Sequence, residues 1–164
     1  MIAYNYVSQV VALYQGHCRR NREPYVLHVL RMADNAKKCG LGNEIQLLCL
    51  LHDVLELNPQ LTITHLQAMF NLQSIDVEVL KTLTRATGES SEQHFQRVLN
   101  SRSIFVLIVK YFDCLDNAEF VAEDAQFYKE YMNESHKEAK KKYVDRLRMI
   151  AEQLQKYGHP VPFA

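Results

Sequence analysis

The pair His52-Asp53 follows directly on the apolar run LLCLL, and Glu56 stands three residues after Asp53. A second apolar run, IFVLIV, is followed by Lys110, Asp113 and Asn117, and His28 sits inside the otherwise apolar YVLHVL. A buried charge without a partner costs several kcal/mol, so each of these departures needs an explanation. Offsets of three and four place Asp53 with Glu56, and Lys110 with Asp113 and Asn117, on shared helix faces. Any one of them is explained by a core histidine bonded to backbone or by a structural ion pair. Together His28, His52, Asp53 and Asp113 make a complete nitrogen and oxygen ligand set for a divalent cation. Ligation without thiolate suits manganese, iron, zinc or magnesium and does not choose among them. Such a cation acidifies water and polarises a phosphoryl oxygen. Glu56 is then the candidate to orient or deprotonate that water. Arg19, Arg20, Lys110 and Asn117 are suited to hold phosphate or base, arginine through its planar fork.

Hydrophobic positions recur at helical spacing along almost the whole chain, so helices must position these groups. The spacing predicts helices over residues 2–16, 24–39, 44–57, 61–70, 74–83, 91–100, 103–120 and 134–157. Pro24 suits a first helical turn and Gly40 a left-handed cap, while Asn43, Thr62 and Ser74 are candidate N-caps. The 44–57 segment is apolar almost all round and is expected in the middle of the bundle. Its neighbours His52 and Asp53 diverge by about 100° on a regular helix, so both reach one ion only at the helix flank. One all-α domain of seven to eight helices accounts for residues 1–164, without repeat or linker.

Composition narrows the function classes. In 164 residues, 19 Lys plus Arg balance 19 Asp plus Glu, with a pI near 7.0. A nucleic-acid or anionic-membrane binder needs a basic excess, so neither partner is expected. Cys18, Cys39, Cys49 and Cys114 form no C-x-x-C pair and read as reduced thiols. The segment MIAYNYVSQV lacks a basic region followed by an apolar one, so no signal peptide is expected, and the longest wholly apolar run, residues 104–109, is far too short to span a bilayer; a cytoplasmic location is expected. Charge is nonetheless uneven. Residues 112–134 carry seven acids against Lys129, and residues 17–38 carry six bases against Glu23 and Asp34. Such asymmetry usually marks a solvated face; the sharper reading is a cation site beside an anion site, as for a metal-bound phosphate ester.

The ordered set resembles the HD superfamily of metal-dependent phosphohydrolases, and more narrowly the RelA/SpoT-type alarmone hydrolase domain and the small stand-alone alarmone hydrolases. QGHCRRNREPYVLH is similar to that family's glycine, basic pair, Pro-Tyr and metal histidine. LLCLLHDVLEL resembles its HD helix, LTITHLQAMF and VEVLKTLTR the segment after it, and VKYFDCLDN its final Lys, Asp, Asn helix. The resemblance implies an HD-type helical bundle with His28, His52, Asp53 and Asp113 as metal ligands and manganese as the usual ion. It implies Glu56 and Asn117 as catalytic residues, and Arg19, Arg20, Lys110 and Asn117 as contacts to a guanine alarmone losing its 3′-pyrophosphate. The family carries Asp directly after that Glu, where this chain has Leu57. Asp116, His17 and His94 are the candidate replacements. Arg22 stands where the family often has a small residue. Two alternatives follow: hydrolysis of another nucleoside phosphate, or a nucleotide-binding sensor with weakened chemistry.

The final helix is basic overall, and its apolar positions, Tyr143, Leu147, Ile150 and Leu154, recur at helical intervals. Packing onto the bundle is its expected use, with a dimer contact as the alternative, so the chain is read as a monomer or homodimer.

Overall fold

The computed structural model describes residues 6–20, 22–120 and 135–161. In chain order these hold α1 (Val7–Leu13), α2 (Tyr25–Lys38), α3 (Asn43–Leu51), α4 (Val54–Leu57) and α5 (Ile63–Phe70). There follow α6 (Ser74–Leu83), α7 (Ser91–Leu99), α8 (Ile104–Phe120) and α9 (His136–Lys156). Among the described residues there is no strand, only an isolated bridge between Cys18 and Pro24. The architecture is the expected all-α bundle. The start of the first expected helix, and the acids between residues 121 and 134, lie outside the described residues.

α3 is the central element, as its all-round apolarity requires. Ile45 and every residue from Leu47 to Leu51 are buried, and α3 packs against α2, α6 and α8. α8 contributes Val106, Leu107, Ile108, Val109 and Phe112 to the same core, and α9 lies along α8 through Ala139, Ile150 and Leu154. Cys49 and Cys114 are buried free thiols, both pushed up in pKa by burial, with Asp113 adding to the effect. No helix among the described residues is long and apolar enough to cross a membrane.

Two local findings differ from the sequence reading. The expected helix over residues 44–57 is broken at His52-Asp53 into α3 and α4. His52 keeps helical dihedrals, but Asp53 turns to φ −107° and ψ 0°. The His52 ring nitrogen Nδ1 lies 2.9 Å from the Cys49 carbonyl oxygen, which satisfies an acceptor that the break would orphan. Caps also shift by one: Gly42 and Gln73 precede α3 and α6, so Asn43 and Ser74 are first helical residues rather than caps. Thr62 does cap α5, in a reciprocal box with His65, and Gly40 takes the left-handed conformation at φ +73°.

The loop between α1 and α2 is held tightly. Tyr25 N–H bonds the His17 carbonyl, Arg19 N–H the Glu23 carbonyl, and Arg22 N–H the Arg19 carbonyl. Arg22 sits at φ +68°, a conformation that costs a side chain about 1–2 kcal/mol.

Candidate metal centre and cleft

Three helices deliver three buried donors to one place. His28 from α2, His52 at the end of α3 and Asp113 from α8 each offer an atom within 4.8 Å of the others. His28 Nε2 is 3.5 Å and His52 Nε2 is 3.9 Å from Asp113 Oδ1. Asp53, the fourth expected ligand, is not part of this compact trio. It stands beside it, with Oδ2 3.0 Å from His52 Nε2 and accepting a hydrogen bond from the Tyr25 hydroxyl.

His52 provides the test of whether these residues fit a cation. With Nδ1–H assigned as donor to the Cys49 carbonyl, Nε2 presents a lone pair. That nitrogen is buried and has no hydrogen-bond partner, although Asp53 is close, because the two are not aligned for a bond. A lone pair facing two carboxylates requires a proton or a cation between them. In the metal-free chain burial opposes charge on this ring, but Asp53 and then Asp113 outweigh it and push the imidazole up to about 9. The same field attracts a divalent cation, and two imidazoles with a carboxylate are a donor set such cations accept. The residues fit the group.

Counter-charges fix the rest of the site. Burial works against ionisation of Asp113, but Lys110, with Nζ 2.6 Å from Oδ2, holds the carboxyl well below its usual range. Lys110 itself is raised, because Asp113 overcomes the desolvation of the ammonium. Asn117 donates from Nδ2 to Asp113 Oδ1 at 2.7 Å and to the Asp113 carbonyl at 2.8 Å. Asp53 is lowered in spite of burial, chiefly by His52, while burial and then Asp53 push the Tyr25 hydroxyl far up.

A cleft of about 290 Å³ opens over this trio, and Asp53 and Asp113 reach its floor. Its walls carry five basic side chains, Arg19, Arg20, Arg85, Lys110 and Arg146, against the acids Asp53, Glu56 and Asp113. The cleft therefore pairs a cation site with a cationic rim, which suits an anionic ligand that also meets a metal. Glu56 lines it as expected. Its Oε1 accepts the Arg85 N–H at 2.7 Å, and burial, then Asp53, raises its pKa. All the sequence-derived site residues except the buried His28 and His52 line the cleft.

Leu57 lies outside the lining and packs against the core, so position 57 offers nothing to the cleft. Of its candidate replacements, Asp116 is fully buried and engaged by Arg19, Arg31 and His28, and His17 is not in the lining. His94 is in the lining, buried, with Nε2 unpartnered and held down to about 4 by burial and by Lys110 and Arg97. Sequence reasoning missed Tyr25, Arg31, Arg85 and Arg146. Tyr25 was visible only within the Pro-Tyr resemblance, and the arginines carry no signal until distant helices meet.

No protein-family model matches the chain, and no curated protein sequence does. Among solved structures it is similar to a metazoan ortholog of SpoT, described as hydrolysing ppGpp and playing a role in starvation responses. The two share 17% identity over 96% of each chain, with a TM-score of 0.66. At that identity the likeness establishes the fold alone, an all-α helical bundle.

Proposed function

We propose that the chain is a metal-dependent phosphohydrolase acting on a guanosine bis(diphosphate) alarmone of the ppGpp kind, removing its 3′-pyrophosphate. The observation that carries this reading is the buried His28, His52, Asp113 trio, whose His52 Nε2 faces the Asp53 and Asp113 carboxylates, beneath a basic cleft. The described activity of the similar SpoT ortholog and the ordered sequence resemblance support the substrate class. His28, His52 and Asp113, with Asp53 completing the set, would hold the ion, and Mn2+ is the proposed one. A divalent cation there supplies acidified water and withdraws electron density from a phosphoryl oxygen.

The chain's own residues do the rest. Glu56 takes the proton of the attacking water; its raised pKa makes it a better base than a solvated carboxylate. Arg85 N–H keeps that carboxylate aimed. Arg19, Arg20 and Lys110 offset the phosphate charge, and Asn117 orders the cleft edge between Arg19 and Asp113. The P–O bond to the ribose 3′ oxygen breaks as the P–O bond to water forms, and the proton returns to the leaving oxygen.

Leu57 favours a second reading, a nucleotide binder with weakened chemistry, since position 57 packs against the core and brings no acid to the cleft. One experiment separates them: the Mn2+-loaded protein incubated with the alarmone, GDP, GTP and their adenine counterparts, with products resolved by chromatography. GDP and pyrophosphate from the alarmone, abolished by chelator, are expected. Release of phosphate from a different nucleotide would replace the substrate, and tight binding without product would establish the second reading.

A further inference from the structure

Behind the metal trio runs a hydrogen-bonded circuit that begins and ends on candidate ligands. His28 Nδ1 lies 2.7 Å from Asp116 Oδ2, which also accepts Arg19 Nη1 at 2.7 Å. Arg19 Nη2 donates to Asn117 Oδ1 at 2.6 Å, and Asn117 Nδ2 donates to Asp113 Oδ1 at 2.7 Å. His28 Nε2 then faces Asp113 Oδ1 across 3.5 Å, which closes the loop at the cation site. Arg31 braces the circuit from outside. Its Nε bonds Asp116 Oδ1 at 2.6 Å, and its other nitrogens hold Glu23 at 2.6 and 2.9 Å.

Each member restricts the next. A carboxylate accepting Nδ1–H fixes the His28 tautomer that leaves Nε2 as a ligand. Arg19 is a rigid fork with one prong on Asp116 and one on Asn117. The bond from Arg19 decides the orientation of the Asn117 amide and so turns its NH2 toward Asp113. Buried networks of this kind hold geometry only while every member is satisfied.

We infer that Asp116 is a positioning residue which, through Arg19 and Asn117, locks the His28 and Asp113 donor atoms at the spacing one cation requires. The inference rests on the metal-site reading above. It has a counterintuitive sign: an arginine strengthens the binding of a nearby cation. By Coulomb repulsion alone, removing a positive charge near the site tightens cation binding. The circuit requires the reverse.

The test is Mn2+ affinity, measured by the loss of the free-ion electron paramagnetic resonance signal, on the full chain. Arg19→Met is expected to weaken binding about tenfold or more, the scale on which outer partners of metal ligands act. Arg19→Lys, which keeps the charge but cannot bridge two partners, shifts affinity the same way and answers the question should Arg19→Met not fold. Asp116→Asn weakens binding as well. Arg148→Met, an exposed side chain on α9 that pairs with Asp145 and belongs to no bond of the circuit, leaves Mn2+ affinity unchanged. Wild type that binds Mn2+ while both Arg19 variants bind it as well or better would overturn the inference alone. Wild type that binds no Mn2+ would overturn the metal reading, and the inference with it.

Discussion

Asp116 has no exposed surface, and its ionisation is decided by its neighbours. Burial raises its pKa, yet the hydrogen bonds from His28 and Arg31 overcome that and hold the carboxyl down to about 2. An unfolded aspartate titrates near 3.9, so the native state keeps its charge into acid where the unfolded chain takes up a proton. The stabilisation is complete above that unfolded value and is lost as pH falls through about 2. The gap is worth on the order of 2 kcal/mol. Urea unfolding of the metal-free protein between about pH 4.5 and 2 is therefore expected to show a shallower pH slope in Asp116→Asn than in wild type. Equal slopes would mean that Asp116 titrates alike folded and unfolded. None of this was legible in the sequence beyond an acid three residues after Asp113. A helical offset gives the face a residue occupies, but His28, Arg19 and Arg31 reach Asp116 from 85 to 97 positions away.

At the scale of elements, the break between α3 and α4 resolves the difficulty that adjacent His52 and Asp53 pose on a regular helix. The turn at Asp53 brings its carboxylate to 3.0 Å from the His52 ring, and it starts α4, which carries Glu56 into the cleft. Apolar periodicity did not signal the break, because Val54, Leu55 and Leu57 continue the pattern across it. α8 was read more completely. Its core segment and its polar stripe of Lys110, Asp113 and Asn117 are placed as their spacing requires. Phe112 is fully buried one residue before Asp113 and packs edge-to-face with Tyr111. Phe112→Ala should cost about 3–5 kcal/mol and also weaken ion binding, because the cavity loosens the helix that carries the ligand. Val144→Ala, at an exposed position of α9, should stay within about 0.5 kcal/mol of wild type. Thermal unfolding with and without Mn2+ measures both. A Phe112→Ala protein that melts early but gains the full wild-type increment from Mn2+ would separate packing from ligand placement.

Across the whole molecule, a chain with no net charge sorts its charges into a negative floor and a positive rim. Composition gave no basic excess of the kind a general polyanion binder needs, and it could not show that Arg19 and Arg146, from opposite ends of the sequence, line one cleft. Fold class was legible because helical periodicity covers nearly every segment, and the bundle is shared with the SpoT ortholog at 17% identity. The convergence of His28, His52 and Asp113 was legible because ionisable groups within apolar runs are expensive and demand a common purpose. The central claim is that His28, His52 and Asp113 close on one ion from three helices. Equilibrium dialysis against Mn2+ with elemental analysis tests it most directly. One ion per chain is expected in the wild type, with none retained in His28→Ala, His52→Ala or Asp113→Ala that remain folded by circular dichroism. Full occupancy in any of those folded variants, or no ion in the wild type, would contradict it.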